Sequence, residues 1–126
     1  MTFSWPVRVY WEDTDAGGVV YHASYLRFLE RARTEWARGR GLDQGALLRE
    51  GGVALVVARM EVEWLRAARL DDLLDVTCAA GEGSGARVTL RQEVRRGAEA
   101  LVRASVVVAA VRGGRPVRLP GAMRGA

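Results

Sequence analysis

Two periodicities, in a fixed order, predict an α+β fold. Apolar and polar residues alternate through the first eleven positions, and again through most of residues 56–111. Between them, from His22 to about Arg38, apolar residues recur at helical spacing. The glycine-containing breaks of the second half are too short for parallel crossovers, so the sheet is expected to be antiparallel. The reading is one long helix of about 25 Å covering a face of a five-stranded sheet.

Each element follows from its own residues. Phe3, Trp5, Val7, Val9 and Trp11 fall on one strand face, and Pro6 assigns that strand to an edge. The pattern breaks at Glu12-Asp13-Thr14-Asp15 and at Gly17-Gly18, a polar tight turn. Tyr25, Leu29, Ala32 and Trp36 make the helix stripe, widened by Leu26 and Phe28, and Gly39 and Gly41 end it. Asp43 is placed to cap a short helix through Arg49, stopped by Gly51 and Gly52. Val56, Ala58, Met60, Val62 and Trp64 then alternate with Arg59, Glu61 and Glu63. Leu74, Val76 and Cys78 form the inward face of the next strand, and Gly81 to Gly85 a hairpin. Val88, Leu90, Gln92 and Val94 alternate with arginines, threonine and glutamate. Ala100 to Val111 is more continuously apolar, as in a central strand covered on both faces. No linker divides residues 1–126, which read as one domain; residues 120–126 read as a flexible tail.

Composition removes several function classes. All nineteen basic residues are arginines, against fifteen acidic ones, for a net charge of +4. Without lysine there is no Schiff-base chemistry and no P-loop. Arginine suits anionic, phosphate-bearing ligands, but the charges are scattered among acids, which argues against nucleic acid as the main partner. One histidine rules out a multi-histidine metal site within one chain, so no metal is expected. Cys78, the single cysteine, has no internal disulfide partner and sits on an apolar face as an inert thiol. No apolar run approaches a membrane span and no signal core opens the chain, so a cytoplasmic protein is expected.

What chemistry remains gathers at residues 12–22. A carboxylate, Asp15, precedes a glycine pair, which precedes a helix start with His22. Free amides at a helix start can hold a carbonyl oxygen as it becomes negative. A nearby aspartate can attack the carbonyl carbon or activate water. Those parts suffice for acyl transfer to water, and a thioester suits them because its thiolate leaves without strong acid help. On residue types alone a second role stays open, since aspartates ahead of helices are commonly caps. His22 is likewise open to a packing role. Phe28 and Trp64 read as core rather than acyl contacts.

The stretch from Val9 to Tyr25, VYWEDTDAGGVVYHASY, with Glu30-Arg31-Ala32-Arg33-Thr34-Glu35 after it, resembles the YbgC-like acyl-CoA thioesterases. These lie within the wider 4-hydroxybenzoyl-CoA thioesterase group. Pro6-Val7-Arg8, Ala68-Arg69-Leu70-Asp71-Asp72 and Leu119-Pro120 extend the resemblance over nearly the whole chain. It implies a hot-dog fold, in which a curved sheet wraps the long helix, and a homodimer or a tetramer built from dimers. It also implies acyl-CoA binding at the subunit interface, with CoA as part of the substrate and no separate cofactor. Carried over by position, the catalytic carboxylate is Asp15. The carbonyl-polarising amide is at about His22, whose side chain positions substrate or water. Gly18, Val19, Tyr21, Trp11 and Tyr25 are implied to shape the approach; Trp11 replaces a frequent tyrosine and lacks its hydroxyl. Arg59, Arg87, Arg91, Arg115 and Arg118 are the candidates for CoA phosphates. The competing expectation is a scaffold that binds acyl-CoA or acyl carrier protein, associated with the tol-pal cell-envelope system, with little catalysis.

Overall fold

Three short reversals build most of the sheet. Gly85, Gly97 and Gly113 sit at φ +60°, +60° and +56° in the tight turns that join its strands. This is the left-handed backbone that hairpins demand and that glycine adopts without penalty. The computed structural model describes residues 2–124. Its strands are β1 (Phe3–Arg8), β2 (Val53–Trp64), β3 (Leu73–Ser84), β4 (Arg87–Arg96), β5 (Glu99–Arg112) and β6 (Arg115–Pro116). They pair antiparallel in the order β1-β3-β4-β5-β2, with β6 added to β5. The sheet therefore has six strands, one more than expected, because the Gly113-Gly114 turn folds two residues back on β5. Two helices precede β2: α1 (Ser24–Gly39) and α2 (Gln44–Gly51).

Helix α1 lies against the sheet through the stripe predicted for it, except that Leu26 is exposed and does not widen it. Tyr25, Phe28, Leu29, Ala32, Trp36 and Ala37 are buried, against inward residues such as Leu74, Val76, Val88, Leu90, Val94 and Val106. The helix begins at Ser24 rather than at His22, because residues 22–23 are still a turn. Asp43 caps α2 as expected, its carboxylate accepting from the Ala46 amide at 3.0 Å. One polar side chain crosses the core. Buried Gln92 donates to the Leu29 and Thr77 carbonyls (3.0 and 3.2 Å) and accepts from Arg33 (3.1 Å), tying α1 to β3 and β4. Burial lowers the Arg33 pKa, so this contact has cost the guanidinium part of its hydration.

Strand β2 departs from its predicted alternation. A bulge between Val57 and Arg59 shifts the register. Upstream of it Leu55 and Val57 pair with buried Ala110 and Val108; downstream Met60 and Val62 pair with Val106 and Ala104. Val56 and Ala58 therefore leave the inward face expected of them. Strand β1 is an edge, as Pro6 required, but Trp11 lies beyond it in a 3-10 turn, Trp11–Asp13. Strand β5 lies between β4 and β2, yet Arg103 on its outer face is exposed, so in one chain it is covered fully on one face only. The tail departs from expectation too: Leu119 and Met123 are buried, and Arg40 binds the carbonyls of Ala122 and Arg124 at 2.6 and 2.8 Å. Residues 125 and 126 fall outside the described residues. Among the described residues, no helix is long and apolar enough to cross a membrane.

Tyr25 makes the tie that sets the position of the functional loop. Its buried hydroxyl oxygen accepts from the Ala68 amide at 2.9 Å. Tyr25→Phe leaves that buried amide without a partner, so it should cost about 1–3 kcal/mol. Chemical denaturation of both proteins checks this; equal midpoints would show the bond to be dispensable.

Candidate active site

Asp13, the first acid of the Asp-Thr-Asp run, is buried and structural. Its carboxylate accepts from the Tyr10 amide at 2.8 Å and pairs with Arg27 of α1 at 3.2 Å. Its carbonyl accepts from the Tyr21 amide at 2.8 Å and from the Ser24 hydroxyl at 3.2 Å. Both ends of the loop are thereby fastened to one residue. From there the chain makes a small hairpin: Thr14 bridges Val20, and the Asp15 amide donates to Val19 at 2.9 Å. The hairpin rests on residues 65–72, since Val19 bridges Arg69 and the Val20 amide donates to Ala68 at 2.9 Å.

Asp15 opens the hairpin turn and is exposed. Its carbonyl accepts from Gly18 at 3.1 Å, and its Oδ1 accepts from the Gly17 amide at 2.8 Å, an Asx turn that holds the carboxylate still. A Cβ on Gly17 would come within 3.2 Å of Oδ1, so a side chain there would crowd the acid. Gly18 adopts φ +81° with open space around it; a larger residue would suffer from the backbone alone, not from a clash. The second carboxylate oxygen of Asp15 has no partner among the described residues.

Beyond the hairpin come Tyr21 and His22, both exposed, their rings 4.6 Å apart. The edge of His22 also meets Trp64, at 5.9 Å and nearly perpendicular. Trp64 is 49% exposed, so it borders the site instead of filling the core, while Phe28 is core as expected. The amides of His22 and Ala23 find no acceptor among the described residues. They are the unclaimed donors at the entrance to α1.

The remaining candidates divide. Trp11, 79% exposed, stands on the 3-10 turn beside the hairpin. Tyr25 is buried and its hydroxyl is engaged by Ala68, so it supports the loop and does not face a substrate. Arg87 and Arg91 are spread along the outward side of β4, opposite Ala109 and Ser105. Arg59 is held by Glu61 at 2.6 Å, and Arg115 and Arg118 are exposed near the β5–β6 turn. None of the five bonds to the hairpin. The arginines that do adjoin the loop are Arg27 and Arg69, which sequence reasoning passed over. Arg69 sits where Asp72 accepts its amide at 2.9 Å. Burial pushes the Asp72 carboxyl up, but that amide and the Arg96 guanidinium outweigh it and hold the group below the usual range. The Ala68-to-Asp72 segment, which reads as a turn between two strands, was the available signal. Among the described residues no three metal-ligating side chains cluster.

Cys78 is 1% exposed, and burial pushes its thiol up to about 12. The thiol is therefore protonated, and sheltered, at any pH well below that value. Native protein at about pH 8 should resist iodoacetamide and label promptly once unfolded. Rapid native labelling, followed by mass spectrometry, would overturn the inert reading.

The chain matches the family model of the Thioesterase-like superfamily over residues 9–126. The acyl-CoA thioesterase YbgC of Haemophilus influenzae is 49% identical over 120 residues, covering 94% of this chain and 88% of that protein. The acyl-CoA thioester hydrolase YbgC of Escherichia coli O6:H1 is 52% identical over 92 residues, covering 73% of this chain and 68% of that one. Among solved structures, a probable thioesterase from Bartonella henselae superposes with a TM-score of 0.91 at 38% identity, covering 95% of this chain and 100% of that one. The antiparallel sheet curled around α1 is thus the hot-dog fold. With its Asp-Thr-Asp hairpin ahead of the long helix, the chain belongs to the Thioesterase-like superfamily, in its YbgC-like acyl-CoA thioesterase branch.

Proposed function

We propose that this protein hydrolyses acyl-CoA thioesters, with Asp15 as the catalytic carboxylate. One observation carries the reading: an exposed, turn-held carboxylate sits on a small hairpin that leads directly to two unclaimed amides at the entrance to α1. The thioester oxygen accepts from the His22 and Ala23 amides, which stabilise the charge that develops on it. Water attacks the carbonyl carbon as Asp15 takes its proton. The tetrahedral intermediate then collapses, the C–S bond breaks, and the CoA thiolate leaves with the proton from Asp15. We favour this general-base route over an acyl-Asp15 anhydride because Gly17 already occupies Oδ1, leaving one oxygen to hold a water. His22, set between Tyr21 and Trp64, positions the substrate. CoA is the leaving group, so the reaction needs no other cofactor, and a cytoplasmic setting suits both CoA and the reduced Cys78.

The working site is also proposed to lie between two copies. Strand β2 is a twelve-residue edge, paired to β5 on one side only. It carries a bulge and the charges of Arg59, Glu61 and Glu63, but it contains no proline, it is long, and Val56, Val57 and Trp64 on it are exposed. Antiparallel pairing of two β2 strands along their length brings Trp64 of one copy, and His22 with it, alongside residues 53–57 of the other. Sedimentation should therefore show a dimer, or a tetramer made of dimers. A monomer at concentrations where the protein is active would overturn this arrangement.

Asp15→Asn keeps the Gly17 hydrogen bond but removes the base. It should lower thioester hydrolysis by at least about 100-fold with folding intact. Free-thiol release from short, aromatic and long acyl-CoAs, for wild type and variant together, is the assay. Near-normal turnover by folded Asp15→Asn would place catalysis elsewhere. No turnover of any acyl-CoA by wild type would favour acyl carrier protein as thioester donor, or a binding role.

A further inference from the structure

A cleft of about 160 Å³ lies between α1 and the N-terminal half of β2. Leu55, Val56, Val57, Leu90, Val108 and Met123 make its apolar side, and Glu30, Arg33, Thr34 and Gln44 its polar side. A cavity of about 150 Å³ holds a benzene-sized guest, so the space along the apolar side has room for an acyl group of about six carbons or a single ring. Met123 is 3% exposed and comes from neither the helix nor the main sheet. It belongs to a strap, residues 119–124, laid across the end of α1. The strap is held at few points. The Leu119 amide donates to Gly85 at 2.9 Å, and Arg40 donates to Ala122 and Arg124. Arg40 is itself braced over the Trp36 ring, 4.8 Å from its centroid. The Arg124 Nε is buried without a partner, so the seat of the strap is imperfectly satisfied.

We infer that Met123 determines acyl length: it closes the inner end of the acyl cleft, and Arg40 is the positioning residue that keeps it there. The inference rests on the thioesterase reading and on the two-copy site, in which the cleft of one copy adjoins His22 of the other. A methionine suits the task, since its unbranched side chain fills an irregular end and yields to substitution. An acyl chain longer than the cleft must displace the strap, and the two Arg40 hydrogen bonds oppose that displacement.

The test is the kcat/KM ratio of decanoyl-CoA to butyryl-CoA, by thiol release, for wild type, Met123→Ala, Met123→Phe and Arg40→Gln. Met123→Ala should raise the ratio about tenfold or more, the scale on which hydrophobic pockets discriminate single methylenes. Arg40→Gln should raise it in the same direction, and Met123→Phe should lower it. A structural role alone would reduce both substrates together and leave the ratio unmoved. If Met123→Ala does not fold, Arg40→Gln carries the test, because it frees the strap without emptying the core. A ratio within twofold of wild type in the folded variants overturns the role of Met123 while leaving the thioesterase reading intact. No turnover of either substrate by wild type overturns that reading, and the acyl role of the cleft with it.

Discussion

The carboxylate and carbonyl of Asp13 hold the loop on which the site depends. A buried acid is costly unless its oxygens are claimed, and here one takes the Tyr10 amide and the other Arg27. The carbonyl takes Tyr21 and Ser24, so the same residue fixes where the strand side of the loop ends and where α1 begins. With both ends tied, the residues between are short enough to close as a hairpin, and that hairpin alone decides where Asp15 points. The two aspartates of the run thus divide the work. The buried one spends its hydrogen-bonding capacity on geometry, and the exposed one keeps an oxygen without a partner among the described residues.

This division was only half legible in the sequence. The order of strand and helix, the buried stripe of α1, the edge position of β1 and the Asp43 cap all follow from periodicity and local chemistry, which a single chain displays directly. The entrance to α1 was also placed within two residues, although α1 starts later than expected because Tyr21 and Ser24 close a turn on Asp13 first. What could not be read were contacts between distant segments. Nothing local marks Tyr25 as the acceptor for Ala68, forty-three positions away, so it passed for a substrate contact. Nothing local separates Asp13, buried by Arg27, from Asp15. The bulge at residue 58 is equally silent: the run from Val56 to Trp64 alternates cleanly, and only its pairing with β5 reveals the extra residue.

That bulge has consequences for both faces of the sheet. By changing register in mid-strand it directs Val57 toward the α1 side, where the cleft lies, and leaves Arg59 and Glu61 paired with each other outside. A strict alternation would have placed Arg59 on the same face as Val57. Of the candidate phosphate-binding arginines, Arg59, Arg87 and Arg91 were inferred from a polar strand face, and Arg115 and Arg118 from the end of the chain. The structure gives them an exposed position but no convergence on Asp15 within one chain, as expected if the nucleotide end of a substrate extends away from the reacting carbonyl and over another surface.

Exposure of the candidate carboxylate is the strongest argument for the proposed second copy. Oriented dipoles stabilise a developing oxyanion far better where water is excluded, yet in one chain Asp15, Tyr21, His22 and Trp64 are all open to solvent. Their apolar rings are poorly placed for an isolated surface and well placed for the rim of a covered one. The free edge of β2 runs from Trp64, at His22, to Val57, at the cleft. Pairing along that edge would satisfy the unpaired backbone groups, cover Trp64 and join a catalytic hairpin to an acyl cleft. The proposed catalytic hairpin and the proposed acyl cleft lie at opposite ends of the same strand in one chain, about 23 Å apart at the usual rise per residue. A twofold axis across the strand would bring the two together, which is the arrangement proposed for the working site.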